Sequence, residues 1–176
     1  MFDPTAFENM KVVIEGTLYD LDLSGEIRIL DRNDLLNSAK ISRKYEISFT
    51  DQMEGQADIY CSFLMEASLA NLAAELLPAA RSSMLAGCHI YVKFYLKHPN
   101  ELSLFQKIER ILIDIWGKDR TIKQVVMRDP FDDGKIISNE TTVIFNRLVL
   151  EDQIDDLVSM IDYLMVSLKS LRSSIR

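Results

Sequence analysis

Glycine is scarce in this chain of 176 residues: six in all, scattered, with no two in a phosphate-cradling arrangement. Gly-rich loops that wrap nucleotide phosphates are therefore excluded, as is the Gly-x-Ser-x-Gly elbow of many serine hydrolases. Four prolines leave no linker to divide the chain. Two histidines and two cysteines are too few and too badly spaced for a zinc site. Only Cys88 and His89 adjoin, and neighbours on a strand point to opposite faces, so they can neither chelate one ion nor form a nucleophile pair. Cys61 and Cys88 each fall on the apolar side of an alternating run and read as buried thiols. His98, before Pro99, reads as an exposed loop residue.

No apolar run approaches the length of a bilayer span, and Met1-Phe2-Asp3-Pro4 lacks the basic and apolar regions of a secretory leader. These absences predict a cytosolic protein without membrane association. A net charge of −7 argues against nucleic acid and against anionic membrane surfaces, both of which select Lys and Arg. The charge is uneven. Residues 1–88 hold 7 basic and 14 acidic side chains, whereas residues 89–176 hold 13 of each. Between Lys107 and Arg128 six cations face three carboxylates, a bias read as an ordinary mixed surface.

What is present is a globular composition, 48% hydrophobic and 27% charged, enough for one domain with its own core. Val12 to Leu30 reads as short strands turning at Gly16 and Ser24-Gly25, and Asp31 to Ser38 as a short helix capped by Asp31. Ile41 to Phe49 alternates, with Ile41, Tyr45, Ile47 and Phe49 on one face. A loop over Thr50 to Gln56 returns into a second alternating strand, Ala57-Ile59-Cys61-Phe63-Met65 against Asp58-Tyr60-Ser62-Leu64-Glu66. Ser68 caps an Ala-rich helix to Leu77, ended by Pro78. Cys88 to Lys97 is the clearest strand. It places Cys88, Ile90, Val92, Phe94 and Leu96 on one face and His89, Tyr91, Lys93, Tyr95 and Lys97 on the other. A helix from Asn100 to Trp116 stops at Gly117, and a hairpin turns at Asp132-Asp133-Gly134 between Thr121–Arg128 and Ile136–Leu150.

The predicted fold is α+β: an antiparallel sheet with helices mainly on one face and a long amphipathic C-terminal helix. The element order hints at an internal duplication, a βαββα unit over 26–87 and again over 88–176. In order alone it is analogous to the duplicated βαββ units of bacterial effector-binding domains, with no motif residue shared.

One stretch invites a metal. Asp129, Asp133, Gly134, Ile136 and Glu140 occupy slots of an EF-hand Ca²⁺ loop. Phe131 stands where a ligand is needed and the flanks read as strands, so a hairpin turn is expected instead. No metal, cofactor or catalytic set is implied.

Two surfaces remain as candidates. Tyr60, His89, Tyr91, Lys93, Tyr95 and Lys97 interleave aromatics with cations on one sheet face, suited to a partner protein or a planar ligand. In the last helix, Leu164, Leu168, Leu171 and Ile175 continue a 3-4 apolar spacing after the wider stripe has narrowed. The first four turns are expected to pack on the domain and the end to project toward a partner. The functional expectation is a non-enzymatic interaction protein that self-associates, as a homodimer, through this helix, the sheet face, or both. The alternative is an effector-type domain binding a small molecule between the two halves.

Overall fold

A computed structural model of the chain describes residues 5–55, 57–76 and 84–175. Among these residues, four α-helices and six strands occur in the order α1 (Thr5–Leu23), β1 (Arg28–Asn37), β2 (Ser42–Thr50), β3 (Tyr60–Ala67), α2 (Leu69–Ala74), β4 (Gly87–Pro99), α3 (Leu102–Trp116), β5 (Thr121–Met127), β6 (Ile136–Leu150) and α4 (Ile154–Ile175). A 3₁₀ turn, Glu151–Gln153, leads into α4. The strands form one antiparallel sheet, β1-β2-β3-β4-β6-β5. This is the predicted α+β architecture.

Alternation decides which face is buried. Ile47, Phe63, Val92, Val143 and Ile122 lie side by side across five strands, and the first four are buried. Onto this face pack Phe7, Met10, Ile14 and Leu18 of α1, Ile108, Leu112 and Trp116 of α3, and Leu157, Ile161, Leu164, Leu168 and Leu171 of α4, all in one cluster. α4 lies against α3 on one side and α1 on the other.

The N-terminal reading needs correction. Residues 12–23 are helical, not strands. The β-branched run Val12-Val13-Ile14 favours strand locally, but Phe7, Met10, Ile14 and Leu18 recur at helical spacing and bury a continuous stripe. The Glu75 carboxylate completes the first turn, accepting hydrogen bonds from Thr5 Oγ1 (3.1 Å) and Ala6 N–H (3.2 Å). Residues 31–37 are strand, not helix. β1 is an edge strand exposed along most of its length, so it carries no clean alternation; pairing with β2 fixes it. Ile41 is not on the buried face. It sits half-exposed in the β1–β2 turn with φ 49°, an uncommon conformation for a β-branched residue.

With these changes the proposed repeat is not confirmed. The first half runs β1-β2-β3-α2, without a helix between its first two strands, whereas the second runs β4-α3-β5-β6-α4. Other expectations hold with small shifts. Glu101 rather than Asn100 is the N-cap of α3, and Gly117 ends it at φ 93°. Gly134 turns the β5–β6 hairpin at φ 69°. Ser68 precedes α2, and the Asn71 side-chain oxygen accepts from both its N–H (3.0 Å) and its hydroxyl (2.6 Å). The expected end of that helix at Leu77-Pro78 lies outside the described residues.

Charge locks α1 to the β1 edge. Lys11 reaches Glu8 (2.7 Å) and Asp34 (2.8 Å), and Arg43 reaches the same two carboxylates (2.7 and 2.9 Å), closing a ring of alternating sign. A hydrogen bond from Lys11 holds Glu8 below its ordinary pKa. Burial pushes Asp34 up, but hydrogen bonds from Arg43 and Lys11 outweigh it and the net shift is downward. Burial likewise pushes Lys11 down and the two carboxylates outweigh it, so Lys11 is raised. The carboxylates therefore stabilise the fold above the ordinary carboxylate range and cease to do so as pH falls through their lowered values. Lys11 contributes below the ordinary ammonium value and ceases to as pH rises through its raised one. Lys11→Met is expected to cost on the order of 1 kcal/mol at neutral pH, discounted for partial exposure of the carboxylates. In urea unfolding series the gap from the parent chain should shrink on acidification; a gap constant down to about pH 2 would refute this role for the ring.

Candidate functional site

The face opposite the helices is a sheet surface without a covering helix among the described residues. Its residues follow from register. Tyr60 of β3 stands directly opposite Tyr95 of β4, and the rings stack, centroids 4.5 Å apart and 15° from parallel. One step along, Ser48, Ser62, Lys93 and Thr142 form a row, with the Ser48 and Ser62 hydroxyls 2.6 Å apart. Lys93 Nζ pairs diagonally with Glu140 Oε1 at 2.8 Å. The next row is Glu46, Leu64, Tyr91 and Ile144, in which Leu64 is buried by its neighbours. Lys44 pairs with Glu46 at 3.2 Å.

All six residues expected on this face are there, but they do not form one cluster. Tyr60, Tyr91, Lys93 and Tyr95 hold the centre, half-buried. His89 and Lys97 are exposed at opposite ends of β4, roughly 26 Å apart at strand rise. His89 borders a concavity of about 600 Å³ with Leu35, Leu36, Arg43, Lys44 and Glu66. Lys97 borders one of about 290 Å³ with Tyr60, Tyr95 and Met127.

The chemistry of the centre is that of neutral phenols. Burial pushes the Tyr95 hydroxyl up to about 12; the Glu140 charge adds to this and a hydrogen bond with Ser62 opposes it. Tyr60 is raised by burial and then by Glu140 and Glu46, and Tyr91 by burial and then by Glu66. All three stay protonated near neutrality, so none is a general base or a nucleophile there. The surface offers flat rings, hydroxyl donors and paired charges.

The remaining reactive side chains are spent in the interior. Cys61 and Cys88 are buried on the helix face. Burial raises Cys61 strongly and pushes Cys88 up to about 12, so both are inert thiols. They cannot pair: Cys61 registers with Phe94, six residues along β4 from Cys88, or roughly 20 Å.

His98 is not an exposed loop residue. It is buried at the end of β4, with Nδ1 2.8 Å from the Pro99 carbonyl and Nε2 3.0 Å from the Asn139 amide nitrogen. Asn139 also donates to Gln124 (2.9 Å), which in turn donates to the Phe105 carbonyl. The imidazole is a member of a closed structural chain. Among the described residues no three His, Cys, Asp or Glu side chains converge as metal ligands. In the stretch resembling a Ca²⁺ loop, Asp129 and Asp133 accept from the N–H groups of Phe131 (2.9 Å) and Lys135 (3.0 Å), while Glu140 lies in β6 beside Lys93.

The other candidate surface is relocated. Leu164, Leu168 and Leu171 are completely buried, and Ile175 packs against the same core. The narrow stripe does not project; it faces the sheet and α1. Sequence reasoning put Leu64 on the Tyr60 side of its strand without counting it as a site residue, and missed Glu140 and Ile144, which complete the open face. The β5–β6 hairpin was legible from Asp132-Asp133-Gly134, but that β6 rather than β5 neighbours β4 is a matter of topology that no local signal carries.

No helix among the described residues is long and apolar enough to cross a membrane. Comparison with sequence families, with curated proteins and with solved structures finds no match to this chain.

Proposed function

We propose that this chain is a cytosolic, non-enzymatic interaction protein that forms a homodimer through the open face of its sheet. The observation carrying this reading is the centre of that face: a stacked tyrosine pair beside Tyr91, Leu64 and Ile144, with Lys93 neutralised by Glu140 and Lys44 by Glu46. A chain of net charge −7 repels its copy in general. Here both signs interleave, so two copies can meet without like-charge apposition. Six strands with about eight residues each present on the order of 600 Å², close to the roughly 800 Å² that each partner contributes to a stable interface. A second copy supplies the same aromatic and paired-charge chemistry on a twofold.

Sedimentation velocity over a wide concentration range tests this. The parent chain should sediment as a dimer, and Tyr91→Lys should weaken association at least about 100-fold while leaving the melting curve of the monomer intact. A parent chain that stays monomeric at high concentration would end the proposal.

A second reading has its own observation. The Tyr60–Tyr95 stack straddles the junction of the two halves and borders the 290 Å³ recess, a setting for a small planar ligand. Stabilisation of a monomer by planar compounds, lost in Tyr95→Ala, would favour it over the dimer.

A further inference from the structure

A separate concavity lies on the helix side of the sheet, where the end of α3, the end of β6 and the first half of α4 meet. Its volume is about 540 Å³, within the range of small-molecule sites. Its floor is aromatic. Trp116 meets Phe145 edge to face (5.5 Å, 82°) and Tyr163 at a tilt (5.6 Å, 47°). The rim carries two guanidinium groups, Arg120 from the turn before β5 and Arg147 from β6.

No described carboxylate lies within 4 Å of either arginine. Among the described residues Arg147 donates only to the Gln153 side chain (3.1 Å). Arg120 lies over the Phe145 ring at 4.8 Å, and its Nε is buried without an acceptor among the described residues. Arg120 donates to no described side chain or carbonyl, so its terminal nitrogens remain available to an oxygen acceptor in the concavity. Asp114 and Asp156 also border the concavity, both exposed, and neither lies within 4 Å of Arg120 or Arg147. The Phe145 face, which a cationic guest would seek, already holds Arg120. The indole N–H of Trp116 is turned to Ser167 Oγ (3.0 Å), and the Ser159 hydroxyl donates to the Asp155 carbonyl (3.0 Å). The charged donors left for a guest are therefore the two arginines.

We infer that this concavity binds a small aromatic carboxylate, its ring against Trp116 and Tyr163 and its carboxylate on Arg120 and Arg147. This is independent of the sheet-face dimer, since it lies on the opposite side of the sheet. Trp116 is the single tryptophan of the chain, which makes the site directly observable.

The test is titration of the full chain, labelled with ¹⁵N, with 4-phenylbutyrate, 4-phenylbutanol and 4-phenylbutylamine, following the one indole cross-peak and tryptophan emission. The carboxylate should shift the cross-peak saturably, and the alcohol and the amine should bind about tenfold more weakly or not at all. Arg120→Gln and Arg147→Gln should each weaken carboxylate binding about tenfold, with folding checked by the remaining amide spectrum. If Arg120→Gln disturbs the spectrum, the exposed Arg147→Gln carries the comparison. An unmoved cross-peak at millimolar carboxylate, equal binding of the three compounds, or binding indifferent to both substitutions would overturn the assignment.

Discussion

A chain ending after Leu150 is expected not to fold. Removal of α4 strips Leu157, Ile161, Leu164, Leu168 and Leu171 from the core, each at most 1% exposed. At roughly 1.5–3 kcal/mol for each buried side chain, the loss is on the order of 10 kcal/mol. That equals the whole stability of an ordinary domain, about 5–15 kcal/mol. The loss is also cooperative, because α4 separates α1 from α3 and its removal exposes the helix face of the central strands. Near-ultraviolet circular dichroism should flatten, and urea titration should show no sigmoidal transition. A truncated chain that still unfolds cooperatively would show that the helix is an accessory, and would return the Leu164–Ile175 stripe to the list of partner surfaces.

Arg172→Met is expected to destabilise the protein by roughly 3 kcal/mol, far more than an exposed ion pair would. Arg172, in the last turn of α4, pairs with Asp51 at the end of β2, and the Asp51 side chain is only 8% exposed. Arg172 is the one cation within ion-pair distance of Asp51 among the described residues. Without it a carboxylate stays buried and unpaired, which is the costly outcome. Asp51→Asn removes the charge and keeps the shape, so the double substitution should cost clearly less than the sum of the singles. Urea midpoints of the four chains measure that coupling. Additive costs would mean that the pair is solvated in solution and that the helix end is held by Leu171 and Ile175 instead.

Legibility in the sequence tracked burial on one side. β4 was read correctly because every odd residue from His89 to Lys97 is exposed or half-buried and every even one is buried. The helices α3 and α4 were legible from their spacing in the same way, whereas β3 alternates in residue type although Ser62 and Leu64 on the open face are buried too. β1 misled because an edge strand with little of its length buried has no period, and Asp31 offered a helix cap that pairing with β2 overrode. α1 misled for a different reason. Its β-branched residues obscured a stripe from Phe7 to Leu18 that is plain when only spacing is counted. His98 was misplaced because an X-Pro step suggests a turn, whereas here it ends a strand beneath α3.

For the candidate site, the six side chains of the open face were legible individually, because alternation assigns faces. Their grouping was not. The stack of Tyr60 on Tyr95 needs the β3–β4 register, and the Lys93–Glu140 pair needs β6 beside β4, a pairing across more than forty residues. The basic bias between Lys107 and Arg128 had looked like plain solvated surface; only the fold sets Arg120 against Phe145.

The arrangement of the helical layer has a kinetic side. Four of the five strand pairings, β1–β2, β2–β3, β3–β4 and β5–β6, join consecutive strands, and such contacts form early because little chain must be closed. The contacts of α4 with α1 span more than 130 residues, among the most distant in sequence that this fold makes. On sequence separation they are expected to form on the late side of the folding barrier, where interactions set the rate of escape from the native state more than the rate of reaching it. The sheet thus governs how fast the molecule assembles, and the seating of α4 governs how long it stays assembled.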